Sequence, residues 1–525
     1  MQALVAHSIK PSGPAKSIGN SSRYELLLLM TGMSISLLIG GYQFGLSNHT
    51  VYLVDPLRQN NPQILQNDWW ATSTLQYHGA FSTMSAALMR WGIIQPAFLT
   101  GYLALVVLLH LAWWKLNRIL GGSGETYLLS VVFFYLSAAG FGLGLYTFLQ
   151  DSSILPSNLA NIAMLWAICF YAAGRIGLAG LLLGVSGMFH LNHAIVAPWL
   201  WAMMVLGEFI KGNRLDWKWA AGTAAVIGLS LVSVAAVIRE VPARSYQLPL
   251  REFIAFYVRL RHAHHYDPRA WSILFWLGFL WPIPLAIILS RRMTDEPARR
   301  VVSVFHLFLC LQLVALALAG FCYVSETFIQ LSIYRFSIFV KLLSCIGAAI
   351  VLIKFAPSWT RKLALPLLIL GLVVGAVVQR GKGVLPDMMP QDPMDYVAMC
   401  NWVRDPANTP RDAIFIVPPQ EQGFRLYAQR AIVVNLKGVP QLSSELKEWR
   451  TRLEDVLDGD PMQFAARFNQ TLALIRQRYE SLPPQHFTQV AQRYHAPFLI
   501  LEHEISDPSW HLIHTSGRFR LCRLQ

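Results

Sequence analysis

Long apolar runs alternate with short polar turns from Tyr24 to Gln379, and mixed, mostly polar sequence follows. Apolar windows of roughly 20 residues, the length that crosses a bilayer as a helix, fall near 24–45, 93–114, 126–149, 158–173, 177–190, 194–210, 220–238, 271–289, 301–322, 336–353 and 363–379. The pattern predicts an α-helical multi-pass membrane protein of about 11 spans. The fourth and fifth windows are short and are open to a re-entrant reading. Residues 1–23 are polar and carry Lys10, Lys16 and Arg23 ahead of a long run without a small-x-small cleavage site. They read as the cytoplasmic start of an uncleaved signal-anchor.

The charges in the turns orient the windows. With the N-terminus inside, Lys115 and Arg118, Arg175, then Lys211, Arg214 and Lys218 fall in cytoplasmic turns. So do Arg291, Arg292, Arg299 and Arg300, and Lys354, Arg361 and Lys362, as the positive-inside rule asks. Arg380 and Lys382 sit on the disfavoured side. The opposite loops hold Asp55, Asp68, His78, Gln150, Asp151, the turn from His190 to His193, Glu326 and the Tyr334-Arg335 pair. They also hold RLRHAHHYDPR (Arg259 to Arg269), a basic segment against the charge rule. It reads either as a solvated amphipathic loop or as a partner for anionic head groups, and its three histidines are also candidate metal ligands.

Beyond the windows, 381–394 is a Pro/Gly-rich linker and 395–525 reads as a soluble domain. A helix over Asp395–Val403 precedes two short strands, AIFIVPP and AIVVN. A polar helix over Gln441–Leu457 follows. A strand at PFLILEH and a closing pair turning at Ser516-Gly517 complete a small α/β domain. An odd span count places it outside the cytoplasm. In that compartment Cys400 and Cys522 could pair.

Composition agrees with the pattern: 54% of residues are hydrophobic and only 14% charged, against about 25% charged in soluble domains. The net charge of +14 is accounted for by topological anchoring, and a nucleic-acid role is set aside.

Candidate chemistry gathers in the outward loops. Asp68, in Asn-Asp-Trp-Trp beside tryptophans suited to the lipid boundary, is either a general base or a helix N-cap. Asp55 precedes Pro56 and is either a second acid or a turn former. Asp151 is a further carboxylate for a paired site. His190 and His193 share a face if their turn is helical and are weak metal candidates, with a divalent ion as the cofactor they would imply. Arg335 suits a phosphate, since its fork grips two oxygens. Lys341, about two turns deeper, is costly in an apolar segment unless it is paired or functional. His78, Arg259 and Arg261 complete the candidate lipid-phosphate set.

The many spans, the first outward loop with its Asp residues and the C-terminal α/β domain resemble the GT-C class of membrane glycosyltransferases. More closely, NDWW (Asn67 to Trp70), IYRFSIFVK (Ile333 to Lys341), TPRDAIFIVPPQEQGFR (Thr409 to Arg425) and QRAIVVNLK (Gln429 to Lys437) look like an uncharacterised family of bacterial multi-pass proteins. The resemblance implies an enzyme of the bacterial inner membrane that moves a sugar from a polyprenyl-phosphate carrier to an extracytoplasmic acceptor. It makes Asp68 the base, with Asp55 or Asp151 as acidic partner, and makes membrane lipids and a lipid-linked sugar donor the partners. The first loop lacks the adjacent acidic pair of that class. The competing reading is non-enzymatic, a lipid or solute transporter or an envelope assembly factor. Transporters favour paired broken helices and charges near mid-membrane, whereas the polar residues here crowd one face.

Overall fold

The computed structural model describes residues 18–136, 149–240, 248–355, 358–381, 394–466 and 468–525. Most of the segment 1–23 and of the linker 381–394 lies outside the described residues. Eleven principal helices make up the first part: α1 (Ile18–Gly40), α2 (Ile94–Ile119), α3 (Gly124–Leu136), α4 (Pro156–Ala172), α5 (Ile176–Phe189), α6 (Leu191–Ile210), α7 (Trp217–Glu240), α8 (Ile273–Arg292), α9 (Glu296–Phe321), α10 (Ser337–Phe355) and α11 (Ser358–Gly381). Each apolar window overlaps one of them, and residues 137–148 of the third window lie outside the described residues.

Among the described residues, seven helices are long and apolar enough to cross a membrane: α1, α2, α6, α7, α8, α9 and the stretch Glu326–Lys354 that contains α10. The apolar helices Gly124–Leu136, Ile176–Phe189 and Leu365–Val378 are shorter. At about 1.5 Å per residue, α5 reaches only about 21 Å against an apolar thickness of about 30 Å.

Helix contacts follow residue size. On α5, Gly180, Gly184 and Gly187 recur on one face, and α7 presents Gly222, Ala225 and Ser230 to them. A Cβ at Gly180 would stand 2.4 Å from Gly222 Cα, so no larger residue fits. Small residues on both sides let backbones close where lipid offers no hydrophobic drive. Larger side chains fill the spaces elsewhere, with Trp113, Tyr127, Phe134, Phe305 and Phe308 fully buried.

The C-terminal part is a mixed α/β domain. It runs α12 (Met394–Arg404), β1 (Ile414–Ile416), β2 (Ala431–Ile432), α13 (Ser443–Leu457), α14 (Phe468–Glu480), α15 (Pro484–Tyr494), β3 (Phe498–Leu501), β4 (Trp510–Ser516) and β5 (Phe519–Leu524). The strand order is β2-β1-β3-β5-β4. β1 pairs in parallel with β2 and β3, and β5 runs antiparallel to β3 and β4. Parallel strands need crossover segments to return the chain, and α13 to α15 supply that between β2 and β3. The hairpin turns at Gly517, whose φ of +54° favours glycine. Cys400 and Cys522 are both buried and no disulfide joins them, so the pairing open in the sequence is not made.

Candidate functional site

One end of the helical part carries the loops around Ser47–His78, Leu149–Leu155, His190, Tyr257–Tyr266 and Ser325–Arg335, and the C-terminal domain sits on them. Between the two lies a cavity of about 920 Å³. The seam is polar and specific. Arg425 Nε donates to Asp68 Oδ2 at 2.8 Å, the Leu75 N–H to Glu445 Oε1 at 2.8 Å, and Tyr257 OH to Gln441 Oε1 at 2.9 Å. Ser443 Oγ donates to Glu326, and Tyr427 OH to Gly45 O at 3.2 Å.

Asp68 belongs to this seam and not to the cavity. It is fully buried. One carboxylate oxygen accepts the Ala71 N–H at 2.9 Å and caps the helix Trp69–Ser73. The other takes Arg425 and the Ile432 N–H at 3.0 Å. A carboxylate with its lone pairs committed to three donors has little left for a hydroxyl proton. The neighbouring tryptophans meet the domain and not lipid: Arg425 lies over the Trp70 ring at 5.1 Å and Arg452 over Trp69 at 4.8 Å. Two arginines offer those rings a cationic face, which hydrocarbon does not.

The other candidates divide. Asp55, Asp151, His78, His190, Arg261 and Arg335 all line the cavity. Asp55 is held by Gln59 Nε2 at 2.9 Å. Asp151 Oδ1 accepts from the Ser153 N–H at 3.2 Å and from Ser152 Oγ at 3.3 Å. Burial pushes its carboxyl above the usual range, against the opposing pull of the Ser153 N–H. Arg335 Nη1 stands 2.9 Å from His190 Nε2, and the His190 ring lies 5.0 Å from that of His78. Asn192 N–H approaches His190 Nδ1 at 3.2 Å. A neutral imidazole has one lone pair, so it serves only one of these two donors fully.

Lys341 and Arg259 do not reach the cavity. Lys341 is buried with its ammonium 4.2 Å from the centre of the Phe134 ring, a contact that suits a cation in an apolar setting. Arg259 is exposed on the π-helical turn Ile254–Arg261, because the two residues that separate it from Arg261 carry its side chain to nearly the opposite side of the turn. Neither supports a place in a binding set. His193 is also outside the lining: its Nε2 bonds Asn161 Oδ1 at 3.0 Å and its ring packs against Phe336 at 4.7 Å. Among the described residues no group of three or more His, Cys, Asp or Glu side chains is arranged to hold a metal. That leaves His190 and His193 without the further ligands a metal site needs.

Three features of the cavity were not singled out from the sequence. Lys437, from the C-terminal domain, enters it and bonds Asn48 Oδ1 at 2.9 Å. Its position at the end of QRAIVVNLK, straight after a buried strand run, is the one local signal it carries. Tyr77, Tyr257 and Tyr266 add aromatic walls. Ile195, Val234, Val237 and Ile238 make one side apolar, and Ile195 and Ile238 are 41% and 58% exposed. The histidines bring no charge at neutral pH. Burial lowers His78 to about 3 and His264 to about 4, and it drives His262 and His265 well down. The cationic charge therefore rests on Arg261, Arg335 and Lys437.

Residues 394–456 match the model of a domain of unknown function, DUF6798. The match runs from α12 to the end of α13 and includes Arg425, Lys437 and Glu445. No curated protein matches the chain.

Proposed function

We propose that the protein is a membrane glycosyltransferase-like enzyme of the bacterial inner membrane, with the cavity and C-terminal domain outside the cytoplasm. It transfers a sugar from a polyprenyl-phosphate donor to an extracytoplasmic acceptor. The orientation is supported by the basic turns at the far end of the helices: Arg118, Lys211 and Arg300 lie there, as lysines and arginines retained in the cytoplasm do.

The observation that carries the reading is the combination facing one chamber. The carboxylate of Asp151 and the guanidinium of Arg335 line it together with an apolar wall of Ile195, Val234, Val237 and Ile238. A lipid phosphate needs both the cation and the apolar wall, and transfer needs the carboxylate. The Arg335 fork holds two phosphate oxygens. Asp151 takes the acceptor hydroxyl proton as that oxygen bonds the sugar's anomeric carbon. The bond from that carbon to the phosphate oxygen breaks, and the carrier leaves as polyprenyl phosphate. A raised carboxyl pKa suits a base, because proton affinity closer to the working pH improves transfer. Asp55, on the same wall, is the alternate acid.

The test compares lipid-linked and cell-surface glycans by mass spectrometry in a deletion strain carrying wild type or Asp151→Asn. At equal protein level, the variant should lose transfer by roughly 10²–10⁴-fold. Full glycan restoration by Asp151→Asn and by Asp55→Asn would sink the transferase reading and leave the transporter or assembly-factor reading standing.

A further inference from the structure

Arg261 and Lys437 come from different parts of the chain and meet at the seam. Arg261 ends the π-helical turn Ile254–Arg261, and its Nε donates to Leu436 O at 3.1 Å. Its guanidinium is thereby fixed to the backbone of the residue next to Lys437. Lys437 has one hydrogen bond, to the neutral Asn48 amide, and among the described residues no carboxylate lies within 4.0 Å of its ammonium. The charge of Asp151 reaches it only weakly, behind burial and the opposing charge of Arg261. Tyr257, Tyr266, His262 and His264 share this corner of the lining, and burial keeps the two imidazoles uncharged at pH 7. Two cations side by side against an open cavity repel each other, and an anion between them removes that cost.

We propose that Arg261 and Lys437 form a two-part clamp for a phosphate-bearing ligand, and that filling it locks the C-terminal domain onto the helical part. The ligand's chemistry rests on the phosphate-donor reading above, whereas the clamp does not require that a sugar be transferred. The seam's own contacts, led by Asp68 with Arg425 and Leu75 with Glu445, dock the domain without ligand. An anion touching both cations adds contacts that exist only when the domain is docked, so by linkage it favours the docked arrangement. The segment matched by the domain model would then have a defined task. It closes the site and supplies one of its charges.

The experiment uses the full chain in detergent or nanodiscs, with polyprenyl phosphate as the probe and inorganic pyrophosphate as a competitor. Binding to Lys437→Met should be weaker by roughly tenfold or more, the scale of one charge-assisted hydrogen bond. Lys437→Arg, which keeps the cation, should bind within a few-fold of wild type. Amide exchange across residues 431–445 should slow when wild type or Lys437→Arg is saturated, and this readout does not depend on the Met variant folding. Displacement of the lipid by pyrophosphate assigns the clamp to a free anion, and failure to displace assigns it to a lipid-borne phosphate; both support it. Equal affinity for wild type and Lys437→Met, unchanged exchange over 431–445 at saturation, or no binding of either anion overturns it. Loss of glycan in Asp151→Asn with binding intact leaves the clamp standing. Wild-type glycan with no measurable clamp binding overturns the clamp and not the transfer.

Discussion

The two ends of the helical part use charge in opposite ways. At the end away from the cavity, Glu208 is 2% exposed and fully engaged. Arg300 reaches it at 3.1 Å, Lys211 at 3.1 Å, Asn213 at 2.7 Å and the Tyr171 hydroxyl at 3.1 Å. Glu296 extends the network to Arg300, Arg299 and Lys211. The Arg300–Glu208 and Lys211–Glu296 pairs tie the end of α6 to the start of α9. At the cavity end, Arg261, Arg335 and Lys437 line the cavity, and the carboxylates Asp55, Asp151 and Glu326 that also line it accept hydrogen bonds from neutral partners. The first arrangement fixes structure, and the second keeps charge available for a ligand. The Asp68–Arg425 pair is the instructive intermediate. It stands at the cavity end yet behaves like the Glu208 network, buried and closed on itself.

That comparison can be broken by substitution. Arg425→Met should have the largest effect, since it strands the Asp68 carboxylate in a dry seam. A loss of about 3–5 kcal/mol is expected, the cost of removing one partner of a buried pair. Thermal unfolding in detergent, with proteolysis of the C-terminal domain as the local readout, measures it. Asp68→Asn keeps the cap and should fall short of that loss. An Asp68→Asn protein that is fully stable but has lost glycan transfer would return Asp68 to the chemistry.

Glu208→Gln comes next. It removes charge from a network with solvent-reachable members, so a loss of about 1–3 kcal/mol is expected, with anion binding at the distant cavity unchanged. A shift in polyprenyl phosphate affinity would show that the two ends are coupled.

The third effect is one of pH. Burial, and then the charge of Arg261, lower Lys437 from 10.5 to about 7. Its charged form is thus disfavoured in the folded state. Between about pH 7 and 10.5 the unfolded chain holds this proton and the folded chain does not, so its contribution to stability rises with pH across that window. The slope for one proton is at most about 1.4 kcal/mol per pH unit. Ligand-free protein should show this rise between pH 7 and 9, and Lys437→Met should lack it. Anion affinity should move the other way, falling as pH climbs through 7. Lys437→Arg should hold its affinity to higher pH.

Much of the architecture is legible from local pattern. Apolar runs must form helices in a bilayer, because no water is present to satisfy the backbone, and among the described residues seven helices are long and apolar enough to cross one. The strands AIFIVPP, AIVVN and PFLILEH were readable because buried β-rich runs end at prolines or polar turns. The candidate site was legible only in part. Outward loops could be grouped by topology, and this brought Asp55, Asp151, His78, His190, Arg261 and Arg335 onto one list. Whether each one turns into the cavity depends on helix phase and docking, and a step of two residues separates exposed Arg259 from buried Arg261. Asp68 shows the limit most clearly. Its sequence neighbours supported both a base and a cap, but the donor that settles its environment, Arg425, is 357 positions away. The local pattern determined which segments are helices and which loops share an end. Only the tertiary structure decided which charges close on one another and which are left facing the cavity, because that choice depends on pairs brought together by folding from distant parts of the chain.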